Sequence, residues 1–181
     1  MTSFGATSSS RRLRPIVRLL LAALVVCMFR PALALDWQLG LGMANFAEDE
    51  GSSATLDVGQ GHWQIGLSYS QAYTSSRNEP VWRGYEIAMV GLGYRNQMEN
   101  LTTYVRGGVL WLMDTEQIFA KDSNPGRFLL IGVEAPLLRT PSNGVLKVAM
   151  EGGSMGKGAE LRTGEEVAHG FMSQVLLKWA F

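Results

Sequence analysis

The chain ends His169-Gly170-Phe171-Met172-Ser173-Gln174-Val175-Leu176-Leu177-Lys178-Trp179-Ala180-Phe181, and a period of two runs through this stretch. Phe171, Val175, Leu177, Trp179 and Phe181 take the odd positions, with Ser173 the exception, while Gln174 and Lys178 fall on the even face. Successive side chains of a strand point to opposite faces, so this is a strand with one oily side that runs to the last residue. Closing on two aromatics with nothing polar after them suits a membrane surface.

The same alternation recurs upstream. The first strand is expected over Asp36 to Phe46, with Trp37, Leu39, Leu41 and Met43 opposed to Gln38, Gly40, Gly42 and Ala44. An acidic loop, Ala47 to Gly51, leads to a short second strand, Ser52 to Val58, and Gly59-Gln60-Gly61 turns into a third, His62 to Ala72. There Trp63, Ile65, Leu67 and Tyr69 oppose Gln64, Gly66, Ser68 and Ser70. The fourth, Gly84 to Arg95, can be read in either register. Placing Val90, Leu92 and Tyr94 outward turns Gly91, Gly93 and Arg95 inward. The fifth, Leu101 to Met113, sends Val105, Val109 and Trp111 outward and Tyr104, Arg106 and Gly108 inward. After a long loop, Asp114 to Gly126, the sixth runs from Arg127 to Ala135, with Leu129, Ile131 and Val133 outward. The seventh, Val145 to Gly152, turns Lys147, Ala149 and Glu151 inward, and the longest loop, Gly153 to Ala168, precedes the closing strand. Eight strands with alternating short and long connections predict an all-β, eight-stranded antiparallel up-and-down transmembrane β-barrel with both ends on the short-turn side. A soluble lipocalin-like barrel also alternates, but its oily face would point inward. Trp37, Trp63, Tyr94, Trp179 and Phe181 fall at one end of the predicted strands, and Tyr69, Tyr73 and Trp111 at the other, as two aromatic girdles would.

The amino terminus carries Arg11, Arg12, Arg14 and Arg18 before an apolar run from Leu19 to Phe29, then Ala32-Leu33-Ala34. This is the pattern of a secretory signal, residues 1–34, with a barrel domain over 35–181. The apolar run falls well short of the roughly 20 residues a spanning helix needs. Cys27, the single cysteine, lies inside that segment, so the mature chain is expected to have no disulfide and no cysteine-based metal site. Five of the 16 basic residues leave with it, so 11 remain against 16 acidic, a net of about −5 that argues against nucleic acid.

The end of the chain resembles the carboxy-terminal insertion signal of bacterial outer-membrane barrels, with Gln174, Leu176, Trp179 and Phe181 at the signal positions and Leu176 where glycine is usual. Tyr104-Val105-Arg106-Gly107-Gly108-Val109-Leu110-Trp111 resembles the fifth strand of the small OmpA-like barrels, and Gly91-Leu92-Gly93-Tyr94-Arg95 the strand before it. The resemblance implies a monomer in the outer membrane of a Gram-negative bacterium, both mature termini in the periplasm. The implied partners are a barrel-assembly machinery during insertion, then membrane lipid and lipopolysaccharide. It implies no cofactor and no chemistry.

Arg95, Arg106, Glu134, Lys147, Glu151 and Lys178 all take inward positions, with Gln38, Gln64 and Gln174. Eight strands leave an interior that side chains just fill, so charges of both signs there are expected to pair and plug the lumen rather than line a channel. A distant similarity to lipid A deacylase barrels adds an enzyme alternative, an ester hydrolase of outer-leaflet lipid. Glu151, Ser154 and His169 stand near the far ends of the last two strands, where a serine, a base and an orienting acid would be needed. The order here, Glu, Ser, His, departs from the deacylase pattern. His62 stands alone beside a turn, no metal site is expected, and Gly40-x-Gly42 and Gly91-x-Gly93 have no following helix to hold a phosphate. The leading expectation is a structural or surface-binding barrel.

Overall fold

The computed structural model describes residues 35–181 apart from 48, 75–82, 114–118, 122–124, 142–143, 157, 163 and 165. The predicted signal segment and Cys27 lie outside the described residues, as do most of the loop that follows the third strand and parts of the two longest loops. The elements are β1 (Asp36–Phe46), β2 (Asp49–Gln60), β3 (Trp63–Thr74), β4 (Arg83–Gln97), β5 (Thr102–Met113), β6 (Phe119–Lys121), β7 (Gly126–Arg139), β8 (Val145–Gly156), β9 (Ala159–Leu161), β10 (Glu166–Val167) and β11 (Gly170–Ala180). Eight of them close an antiparallel barrel in the order β1-β2-β3-β4-β5-β7-β8-β11. β11 returns to β1 with Gln38 opposite Ala180 and Phe46 opposite Met172. The Phe181 amide donates to the Trp37 carbonyl at 3.0 Å and the Ala47 amide to the Phe171 carbonyl at 2.8 Å, which extends the closing seam at both ends.

Asp36 pairs with Gly59 and Gln38 with Ala180, so both strand termini share one end with the connections at 61–62, 98–101 and 140–144. This is the near end; β6, β9 and β10 belong to the connections of the far end. The alternation places side chains as a two-period requires. Leu41, Ile65, Leu92, Ile131 and Leu177 are exposed on the outside, whereas Gln38, Thr55, Gln64, Arg106 and Lys178 are buried inside. β4 takes the register with Val90, Leu92 and Tyr94 outward.

Three expectations need correction. There is no acidic loop over 47–51: β2 begins at Asp49, after a two-residue connection from β1, with Ala47 in the left-handed region at φ 60°. Gly51, Ser52 and Ser53 are small enough to pair with both neighbours, and Asp49 turns inward to accept a hydrogen bond from the Tyr85 hydroxyl at 2.6 Å. β7 continues past Ala135 to Arg139 and takes Pro136 into the strand, where the register shifts between Pro136 and Leu138. A proline that cannot donate is tolerated at such an irregularity. β8 continues through Gly152, Gly153 and Ser154 to Gly156, and parts of the two longest loops form a three-stranded sheet, β10-β9-β6.

Candidate functional site

The lumen has two layers. Toward the near end, inward positions of six strands converge on a cluster of charge. Lys178 of β11 places Nζ 2.9 Å from Asp57 Oδ2, 3.0 Å from Glu134 Oε1 and 3.3 Å from Glu151 Oε1, and 4.9 Å from the centre of the Tyr104 ring. Arg106 of β5 donates through Nη1 to Asp57 Oδ1 at 2.8 Å and through Nη2 to Glu151 Oε2 at 2.7 Å. Glu151 also accepts from the Tyr104 hydroxyl and, at 2.5 Å, from Gln174 Nε2. Lys147 Nζ donates to Glu134 Oε2 at 3.2 Å. With its amide oriented to suit both neighbours, Gln38 donates to Glu134 at 3.2 Å and accepts from Lys147 at 3.0 Å.

Three carboxylates, Asp57, Glu134 and Glu151, thus face three cations, Arg106, Lys147 and Lys178, and the cluster is neutral. Taking ions out of water costs several kcal/mol each unless mutual attraction and hydrogen bonds offset it. The Lys178 side chain has no exposed surface, so that compensation has to be met inside the barrel. Lys147, with 17% of its side chain exposed, is the member nearest solvent. Glycines make the room. A methyl on Gly66 would overlap the Arg106 guanidinium, and one on Gly132 the Tyr104 ring.

Arg95 does not join the cluster. It sits at the near mouth, paired with Asp36 and donating through Nε to the Gly61 carbonyl at 2.8 Å. It lines a pocket of about 240 Å³ at this end, together with Asp36, Gln38, Glu134, Arg139 and Lys147 and with the apolar Leu101 and Phe181.

Beyond Gln174 the interior changes character. Gln174 Oε1 accepts from Ser53 Oγ at 3.0 Å, and Ser70 Oγ donates to Ser53 Oγ at 3.0 Å. Past these serines the wall is mainly apolar, with Phe46, Ile87, Met89, Leu110, Leu130 and Met172 all buried, and the Asp49–Tyr85 pair is its polar exception. The small sheet seats Ala159, Leu161 and Val167 on this layer, and Phe119 lies 5.8 Å, centre to centre, from Tyr85.

The three residues considered for hydrolysis are not brought together. Glu151 is buried among Arg106, Tyr104, Gln174 and Lys178. Ser154 is exposed on the outer face opposite Phe171. His169 is also exposed, with Nδ1 3.9 Å from Glu166 Oε2. Among the described residues no group of three or more His, Cys, Asp or Glu is arranged for a metal ion.

The aromatics expected to form girdles stand outside. Trp63 meets Tyr94 edge-on at 5.4 Å and Trp179 meets Phe181 at 6.5 Å, near the two chain ends, while His62 stacks on Tyr94. Trp37 leads β1 at the same end. Tyr69 and Trp111 flank Ala88 in one cross-strand row toward the far end. Of the signal-like residues, Gln174 and Leu176 point inward, whereas Phe181 is exposed. Sequence reasoning put Tyr104 on an inward position, but left both it and Asp57 out of the network they complete. The missing signal was parity combined with depth: both lie at the level of Lys178 only once the register across four strands is known.

No family model matches the chain, and no curated protein matches it. Among solved structures, Neisserial surface protein A is similar at 11% identity and a TM-score of 0.48, covering 81% of this chain and 94% of that one.

Proposed function

We propose that the chain is an integral outer-membrane barrel of a Gram-negative bacterium, with a structural or surface-binding role and a lumen closed to ions. The observation that carries this is an inversion. Ile131 is 67% exposed on the outside while Arg106, 1% exposed, is sealed within. In water that arrangement forfeits burial worth about 1.5–3 kcal/mol per large apolar side chain. In lipid it is the expected one, and strands of 11 to 15 residues meet or exceed the 9–11 or so that a tilted strand needs to cross. The near end, with both termini, would face the periplasm, and the loops of the far end would meet lipopolysaccharide. Removal of residues 1–34 as a signal and delivery to a barrel-assembly machinery belong to the same reading. The neutral charged cluster and the apolar layer beyond it favour a plug over a narrow channel. The four partners of Glu151 favour a structural role for that residue over ester hydrolysis.

Ile131→Arg tests the reading. In bilayer vesicles it should cost about 2–4 kcal/mol of unfolding free energy, since a cation on the lipid face near mid-depth is penalised. A barrel standing in water would tolerate the same arginine with almost no change, and that result would remove the membrane from the proposal.

A further inference from the structure

At the near mouth, charge is left over. Arg95 is held by Asp36 and by the Gly61 carbonyl, and Glu134 accepts from Lys178, Lys147 and the Gln38 amide, so these groups are occupied within the protein. Lys147 is different. An ammonium carries three N–H donors, and that of Lys147 meets two acceptors among the described residues, Glu134 Oε2 at 3.2 Å and the Gln38 amide oxygen at 3.0 Å. Lys178, deeper in the same cluster, is within reach of oxygens from Asp57, Tyr104, Glu134 and Glu151. Lys147 keeps some exposure and lines the pocket, so its remaining donor is available to a guest there. Two further groups line the pocket with no ion-pair partner among the described residues: Arg139, which ends β7, and Glu99, in the connection from β4 to β5. Both are exposed. Leu101 and Phe181 add apolar surface to the same lining.

We infer that this pocket is a binding site for a small zwitterion of the amino-acid class, its carboxylate taken by Lys147 and Arg139, its ammonium by Glu99 and its side chain by Leu101 and Phe181. Simpler guests fit less well. An anion alone would bring like charge against Glu99, and a monocation would bring it against Lys147 and Arg139. For a divalent metal, no group of three or more His, Cys, Asp or Glu is arranged to hold one among the described residues. A guest with both charges meets an opposite charge at each end, through hydrogen bonds that ionisation strengthens. A volume of about 240 Å³ lies below the roughly 300–1,000 Å³ of pockets that take drug-sized ligands, which suits a single amino acid rather than a long peptide. The pocket is formed whether the barrel stands in lipid or in water, so the inference does not depend on the membrane reading.

The test is a titration of the refolded full chain in detergent micelles with leucine to millimolar concentration, followed by amide chemical shifts. Leucine should move the amides of residues 97–102 and 145–147 to saturation and leave those of 110–112 in place. Glu99→Gln and Arg139→Gln alter exposed residues outside the buried network, so the rest of the spectrum should be kept. Each should weaken leucine by about threefold to tenfold, the effect of losing a partly exposed charge-assisted contact. The unmodified chain carries the second comparison. 4-Methylpentanoate, which lacks the ammonium, and isoamylamine, which lacks the carboxylate, should each bind at least about threefold more weakly than leucine. Equal binding of either would overturn the zwitterion. Tighter binding of O-phosphoethanolamine than of leucine would move the assignment to a lipid headgroup and overturn the amino-acid class. Absence of a saturable shift, or a shift that both variants leave unaltered, would overturn the site itself.

Discussion

The near and far halves of one lumen solve the same problem, filling a narrow tube, with opposite chemistry. Near the chain ends the filling is ionic and interdependent: Lys178 alone touches Asp57, Glu134 and Glu151. Toward the far end it is a hydrocarbon core of ordinary kind, capped by a separate sheet. The ionic half is specific because each charge has defined partners and no substitute of equal shape keeps the balance. The apolar half is held by packing, which is non-directional and tolerates changes of shape that conserve volume.

The largest effect should follow from breaking that balance. Lys178→Met leaves Asp57, Glu134 and Glu151 to share Arg106 and Lys147. Removing one partner from a buried ion pair costs about 3–5 kcal/mol. Urea unfolding in vesicles, followed by tryptophan fluorescence, would measure it. Adding Glu134→Gln to Lys178→Met restores neutrality and should recover much of the loss. If the double variant is no better than the sum of the single ones, the cluster is not acting as a charge-balanced unit.

In the far half the corresponding change is Leu130→Ala, expected to cost about 3 kcal/mol through lost burial and the cavity left behind. Leu130→Met should cost less than about 1.5 kcal/mol, because the volume is nearly kept. The contrast is sharpened by Glu151→Asp, equally conservative on paper. Its shorter side chain cannot reach Arg106, Tyr104 and Gln174 together, so it should be worse than Leu130→Met. Equal tolerance of the two swaps would erase the distinction between the halves.

The two layers were unequally legible in the sequence. Where a polar or glycine face alternates with an oily one, as along Trp63 to Ser70, parity alone assigns inside and outside, and the structure has these strands. Toward the far ends both faces become apolar, as in Val109-Leu110-Trp111-Leu112, or both become small, as in Gly152-Gly153-Ser154. Alternation vanishes there, so the far half of β8 read as loop and the apolar layer went unseen. The three short strands of the cap were beyond reach for a different reason. Two or three residues carry no period, and β9 exists only because β6 and β10 pair on its two edges. For the charged cluster, parity found five of the six ions but could not give depth. Arg95 shares its face with Gly93 and Gly91 yet reaches only the mouth, while Asp57, in a strand that the sequence showed only as a short stretch, stands at the centre.

The smallest expected effect lies where the two halves are joined to the cap. Tyr85 is fully buried, donates to Asp49 at 2.6 Å, contacts the Ala168 backbone through its oxygen and has its ring against Phe119 of the cap. Ala168 is at φ 53°, in the left-handed region that non-glycine residues seldom adopt. Tyr85→Phe keeps the ring and deletes the hydroxyl, so global stability should fall by only about 1 kcal/mol, the net worth of a typical hydrogen bond. The cap should respond more than the barrel, because short strands with few partners open at lower free energy than the closed ladder. Amide exchange at 159–161 and 166–167 is therefore expected to quicken while that of β1 and β11 stays as it was. Uniform acceleration through cap and barrel alike would mean that the small sheet is an inseparable part of the far core, and that the hydroxyl does not fasten it.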